Sequence, residues 1–194
     1  FMRTQRLPTF MELYAQNSFF VGNPSLEKES IIDFELGATI KIQQHTRLQL
    51  TSFLGYLSDF IVDVPFLATM LRPVNIDTAR RYGIDATITF EPLSWLMIES
   101  KNGLLKSTIN STDAPLPHAP WFSGLSKIRF GTEDFASITL QSRYRGESFA
   151  TLHGSLRSKP YALVDALFST NVLEHIGLSL SVSNIFNVKT ARDT

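Results

Sequence analysis

The sequence predicts an all-β fold: an antiparallel up-and-down transmembrane β-barrel segment, about eight strands of a larger barrel. Three observations predict it. Apolar and polar residues alternate with period two over long stretches. The connections between those stretches alternate short and long. The stretches themselves are too long for a soluble sandwich.

The first stretch, Glu29 to Ile42, reads ESIIDFELGATIKI. Its even positions from Ile32 are Ile, Phe, Leu, Ala, Ile, Ile; its odd positions from Ile31 are Ile, Asp, Glu, Gly, Thr, Lys. The same parity returns at 48–60, 81–90 and 136–145, more weakly at 163–168, and again at 176–183. It is less regular at 95–109 and 120–131, where Leu96, Ile98, Leu104, Phe122, Ile128 and Phe130 still keep it. Period two with one oily face marks strands, with even-numbered residues on the apolar side throughout.

Four connections are short: Gln43–Thr46, Glu91–Ser94, Thr132–Phe135 and Leu173–His175. Three read as long and irregular: Val62–Val74, Ile109–Pro120 and Thr151–Pro160. Tight turns at one end and long loops at the other are the habit of outer-membrane barrels. The repeats run about 14–18 residues, where soluble strands run about 5–6 and tilted membrane strands need about 9–11. Aromatics fall near the strand ends, with Phe90 and Trp95 by a short turn and Phe60, Trp121, Phe122, Tyr144 and Tyr161 towards long loops. They fit two interfacial girdles, although aromatics favour strands in any case.

The polar face carries charges of both signs, including Asp33, Glu35, Arg81, Asp85, Arg143 and Asp165. In a barrel these residues line a wet lumen; in a soluble sheet they are simply the solvated face. Composition narrows the classes. The 194 residues are 43% apolar and 19% charged, enough apolar matter for a core or a lipid-facing belt. Eighteen basic residues balance eighteen acidic ones, so charge gives no sign of a nucleic-acid partner. With no cysteine there is no disulfide or thiolate metal site. No run of about 18 apolar residues marks a membrane helix. The opening on Phe1 reads as a cut inside a longer chain.

Five motifs then stand in order. RLPTFMELY followed by GNPSLEKESIIDFELGA resembles the FRAPT-x-x-ELY and GNPNLKPE segment of TonB-dependent outer-membrane receptors. VNIDTARRYGIDATITF is similar to that family's N-x-x-x-A-R-x-x-G-V-E strand, and APLPHAPWFSGLSKIRF to its P-x-x-P-x-H strand. YALVDALFS and LSLSVSNIFN resemble its Y-x-L-V-D and L-x-V-x-N-L-F-D signatures near the C-terminus. Two motifs depart: Gln5-Arg6-Leu7-Pro8 replaces Phe-Arg-Ala-Pro, and Asn187 replaces the usual acidic residue.

The resemblance spans the chain. It implies that residues 1–194 are the C-terminal portion of such a barrel, of roughly 22 strands, with the plug domain, earlier strands and final strand outside the sequence. It implies a Gram-negative outer membrane and energised uptake of a scarce nutrient such as a siderophore–iron complex or cobalamin. The implied partners are the bilayer, the chain's own plug, TonB through the plug, and a small-molecule chelate. Asp33, Glu35, Arg81 and Asp85 are the residues expected to hold the plug.

Catalytic chemistry has no footing. There is no phosphate loop, nucleophile elbow or carboxylate pair, so no enzyme, cofactor or metal is expected. His45, His118, His153 and His175 sit in turns or loops without zinc spacing. Residues 9–22 hold no histidine where haem receptors of the family tend to carry one. The ligand candidates are the oily or aromatic residues of the long loops: Phe19, Phe20, Phe66, Met70 and Trp121, with His118. Mutual packing of the loops explains the oily ones equally well. A passive channel or structural barrel is the alternative. A soluble glycan-binding β-domain ranks lower, because the loops sort by length and the motifs stand in order.

Overall fold

The structure, a computed structural model, describes residues 1–67, 70–132, 134–152, 156–173 and 176–190. The strands are β1 (Met2–Arg6), β2 (Glu29–Gln43), β3 (Thr46–Leu67), β4 (Met70–Leu93), β5 (Leu96–Ile109), β6 (Phe122–Gly131), β7 (Ala136–Arg145), β8 (Ser148–Phe149), β9 (Arg157–Ser158), β10 (Tyr161–Leu173) and β11 (Ile176–Val182). One short helix, α1 (Phe10–Tyr14), follows β1. Nine strands form one antiparallel meander in the order β1-β2-β3-β4-β5-β6-β7-β10-β11, and β8 pairs only with β9. Among the described residues no helix is long and apolar enough to cross a membrane, which says nothing of strands.

Register explains why the oily face is continuous. From β2 to β11, away from the turns, each paired residue meets a partner of the same parity, as in Phe34↔Leu54↔Tyr82 or Phe130↔Ile138↔Phe168. Cross-strand partners share a face, so the even set stays on one side of the sheet. That face leaves Leu36, Ile84, Ile138, Leu140, Leu178 and Leu180 exposed. Leaving large aliphatic side chains in water forfeits about 1.5–3 kcal/mol each, so this is a face made for an apolar medium.

Three expectations need correction. First, residues 62–74 are not an irregular loop. β3 and β4 run on as a paired arm to Leu67↔Met70, so Phe66 and Met70 are strand residues. Second, Met2–Arg6 is a ninth strand, and a two-residue hairpin, β8–β9, lies partly within the expected 151–160 loop. Third, even residues do not point outward throughout. β1 pairs with β2 as Met2↔Asp33 and Arg6↔Glu29, so Met2, Thr4 and Arg6 share the polar side. Phe1 instead stacks on Phe34 of the oily face, 5.5 Å between centroids. The insertion between β1 and β2, which pairs with the sheet only by an isolated bridge at Leu71, is free to change the phase.

Burial is concentrated at the long-loop end of the polar side. There Leu57, Ala79 and Ile109 are nearly inaccessible under Leu116, with Ile31, Phe60, Ile76, Ala119 and Leu152 packed around them.

Candidate functional site

The polar face is a braced wall. Arg81 Nη2 donates to both carboxylate oxygens of Asp33, at 2.9 and 3.1 Å, across the strand between them. The residue in that gap is Gly55, in register with both. A Cβ on Gly55 collides with Asp33 Oδ1 and lies 2.8 Å from Arg81 Nε. Asp33 is buried while Arg81 keeps partial access to solvent. Asp85 repeats the pattern beside Gly103, whose Cβ falls 2.6 Å from Asp85 Oδ1. Glu99 faces Lys101 at 3.4 Å and Lys127 at 3.9 Å. Among the described residues, Glu35 and Asp85 form no ion pair.

Arg143 holds Asp165 at 2.8 Å. The other oxygen of Asp165 accepts the Asn184 N–H at 2.8 Å. Asn184 in turn closes its own turn, accepting from Val188 N–H at 2.9 Å and donating to Val188 C=O at 3.0 Å. Asn184 and Asn187 both take φ of 50°, a left-handed conformation that asparagine tolerates. YALVDALFS and LSLSVSNIFN are therefore two halves of one contact.

Towards the short-turn end the same face holds two grooves. One of about 570 Å³ is lined by Lys127, Arg129, Thr139, Gln141 and Asp165 among others. One of about 490 Å³ is lined by Lys41, Arg47, Thr89 and Glu91, with His45 from the turn. The sequence reading placed Asp165 and these basic residues on the polar face but named neither groove there. Their signal was the run of odd-numbered basic residues. No group of three or more His, Asp or Glu is placed to hold a metal among the described residues.

The segment between β1 and β2 is tied down by its motif residues. Thr9 caps α1, accepting from Glu12 N–H, while the Glu12 carboxylate accepts from Thr9 N–H. Arg6 lies between Glu12, at 2.9 Å, and buried Glu29, at 2.6 Å. Glu29 also accepts the Ile61 N–H at 3.2 Å. Asn23 donates to Pro73 C=O at 3.0 Å, and Asn75 brackets Glu27 through both its amide oxygen and nitrogen. Phe19 and Val21 backbone groups then pair with Leu71 on the arm. Arg6→Ala strands a buried carboxylate, and removing one partner of such a pair costs about 3 kcal/mol. Protease cleavage within residues 7–28 is expected to rise sharply in that variant.

Charge here depends on pH in a defined direction. The Arg6 hydrogen bond holds the Glu12 carboxyl below its ordinary 4.5, with Thr9 adding to it. Glu12 thus stabilises docking above that ordinary value, and the contribution is lost as pH falls through the lowered one. Burial, and then the Glu12 charge, push Asp63 up from 3.8. Its ionisation opposes the docked arm, so acid relieves that term. The segment is expected to stay docked down to pH 4.5 and to loosen only below it, as followed by pepsin cleavage.

The ligand candidates do not converge. Phe19 is 72% exposed at the tip of its loop, while Phe20 is half-buried and bridges to Leu71. Phe66 lies under the Arg72 guanidinium, 5.1 Å from the ring centre, and Met70 is half-buried at the hairpin end. His118 and Trp121 belong to the neighbouring connection, between β5 and β6. The His118 backbone is held by Phe149 C=O and the Arg145 guanidinium. Trp121 packs on Phe122, which meets Tyr144. His153 and His175 lie outside the described residues.

A family model described as TonB dependent receptor-like, beta-barrel matches residues 1–185. By structure the chain resembles a copper transporter, OprC, at TM-score 0.74 and 14% identity, over 97% of this chain and 31% of that one. It resembles the ferric enterobactin receptor PfeA of Pseudomonas aeruginosa at TM-score 0.70 and 18% identity, over 95% and 31%. It resembles the ferric yersiniabactin uptake receptor FyuA of Yersinia pestis at TM-score 0.65 and 19% identity, over 83% and 25%. The chain thus spans about a third or less of the length of each. None of the curated proteins compared by sequence matches.

Proposed function

We infer the function from one premise: this chain belongs to the TonB-dependent receptor-like β-barrel family. We propose that it is the C-terminal part of the barrel wall of a Gram-negative outer-membrane receptor. That receptor takes up a scarce nutrient, such as a siderophore–iron complex or cobalamin, in a step energised through TonB. The observation that carries the reading is the unbroken parity of β2 to β11, one face oily and the opposite face charged and braced. Lipid against the even face and a wet lumen against the odd face satisfy both. The structural neighbours, described as a copper transporter and ferric siderophore receptors, support a metal or metal-chelate cargo.

The residues divide the work. Asp33–Arg81 and Arg143–Asp165 satisfy each other and stiffen the wall. Glu35 and Asp85, with the basic groove at Lys127, are the groups offered to a plug domain that the rest of the chain supplies. Contacts of that kind exchange for water, so a plug held by them can move. Phe19, Phe66, Met70, His118 and Trp121 belong to the ligand-capturing mouth.

The test is accumulation of labelled ferric siderophores and cobalamin by cells lacking the parent gene and by cells with it restored. Restoration is expected to return uptake of at least one chelate, and a protonophore to abolish it. Uptake indifferent to the protonophore identifies a passive channel. No gene-dependent uptake of any of these chelates contradicts the cargo class.

A further inference from the structure

The polar face is open along most of its length, yet one patch of it is sealed. Ile31, Leu57, Ala79 and Ile109 form a single row across β2 to β5 on that side. Leu57, Ala79 and Ile109 are 4%, 1% and 2% exposed, and the side chain that closes over them is Leu116. Residues 110–120 therefore fold back into the barrel mouth rather than standing above it.

Much of the backbone of this segment is engaged. Ile109 N–H donates to Ala114 C=O at 2.8 Å, and Asp113 N–H returns to Ile109 C=O at 2.9 Å. Leu116 N–H donates to Ser107 Oγ at 3.2 Å. Asn110 binds Thr78 twice, N–H to C=O at 3.0 Å and Nδ2 to Oγ1 at 2.8 Å. Asp113 and His118 take φ of 53° and 57°, the left-handed kinks that turn the chain inward and back. His118 N–H donates to Phe149 C=O at 2.7 Å, so the next loop buttresses the first. A lid needs a face that can detach. Here detachment exposes a buried apolar row and orphans several hydrogen bonds together.

We propose that residues 110–120 are a fixed inward ledge, part of the wall, so that the mouth has one immovable side. The ledge sits beside the base of the β3–β4 arm, where Phe60 and Ile76 pack against its cluster. This rests on the reading of the odd face as the lumen.

The test is hydrogen exchange by mass spectrometry on the full-length receptor in lipid nanodiscs. The peptide covering 109–118 is expected to exchange more than about tenfold slower than unstructured chain. Leu116→Asn is expected to accelerate it by more than about tenfold, with the β7 peptide 136–145 unchanged as proof of fold. Exchange in the wild type within about tenfold of the unstructured rate overturns the ledge, as does indifference to Leu116→Asn. Oxygen accessibility of a spin label at Glu35 separates the two claims. A lipid-exposed Glu35 with slow exchange at 109–118 refutes the lumen reading alone. A lipid-shielded Glu35 with fast exchange refutes the ledge alone.

Discussion

Residues 1–194, expressed alone in water, are expected to aggregate or to elute as a broad void-volume species. The sheet presents two free edges, β1 and β11, and an even face on which Leu36, Ile84, Leu140 and Leu180 are 77%, 51%, 42% and 67% exposed. Unpaired strand edges recruit further strands, and an apolar face this extended recruits any other apolar surface. Among the described residues, the only sizeable buried cluster sits at the long-loop end of the opposite face and shields none of it. Size-exclusion chromatography without detergent checks this. A sharp monomer peak contradicts it, and with it the assignment of the even face to lipid.

Gly55→Val is expected to be strongly damaging to the wall. Its side chain occupies the path by which Arg81 reaches Asp33. Breaking a buried pair on one side costs about 3–5 kcal/mol, and the partial exposure of Arg81 places this case at the lower end. Gly37→Val is the control. Its Cβ meets Thr51 Oγ1 at 3.5 Å, an ordinary contact, so the change is expected within about 0.5 kcal/mol. Denaturant unfolding of the full receptor in detergent micelles distinguishes them. Equal stability of the two variants removes the ion pair from the account.

The sheet itself was legible because period two survives register. Once Phe34 faces Leu54 and Leu54 faces Tyr82, parity propagates without further information. The short turns at Gln43–Thr46 and Glu91–Ser94 fell out of the same pattern. The arm did not, because Pro65 and Pro73 and a run of apolar residues break the alternation between 62 and 74. Proline reads as a strand breaker, and here both sit in the β3–β4 arm, Pro65 opposite Leu71 and Pro73 opposite Asp63. β1 was missed because five residues, MRTQR, carry no oily alternation and are held by pairing with β2.

The site was legible only as chemistry. Asp33, Glu35, Arg81, Asp85, Arg143 and Asp165 could be placed on one face. That Asp33 pairs with Arg81 through the space left at Gly55 depends on neighbours far apart in sequence. The link from Asp165 to Asn184, and Arg6 between Glu12 and Glu29, are of the same kind. Such contacts also give the motifs a physical role: each holds one segment against another.

The measurement that tests the central claim most directly is a single-cysteine spin-label scan of the full receptor in bilayers. This segment has no cysteine of its own, so a label introduced here reports a known position once any cysteine elsewhere is removed. Labels at Leu36, Ile84, Leu140 and Leu180 are expected to be relaxed by lipid-dissolved oxygen. Labels at Glu35, Asp85, Gln141 and Ser181 are expected to be shielded from it. Oxygen contact on both sets, or on the odd set alone, contradicts a barrel wall with its charged face turned to the lumen.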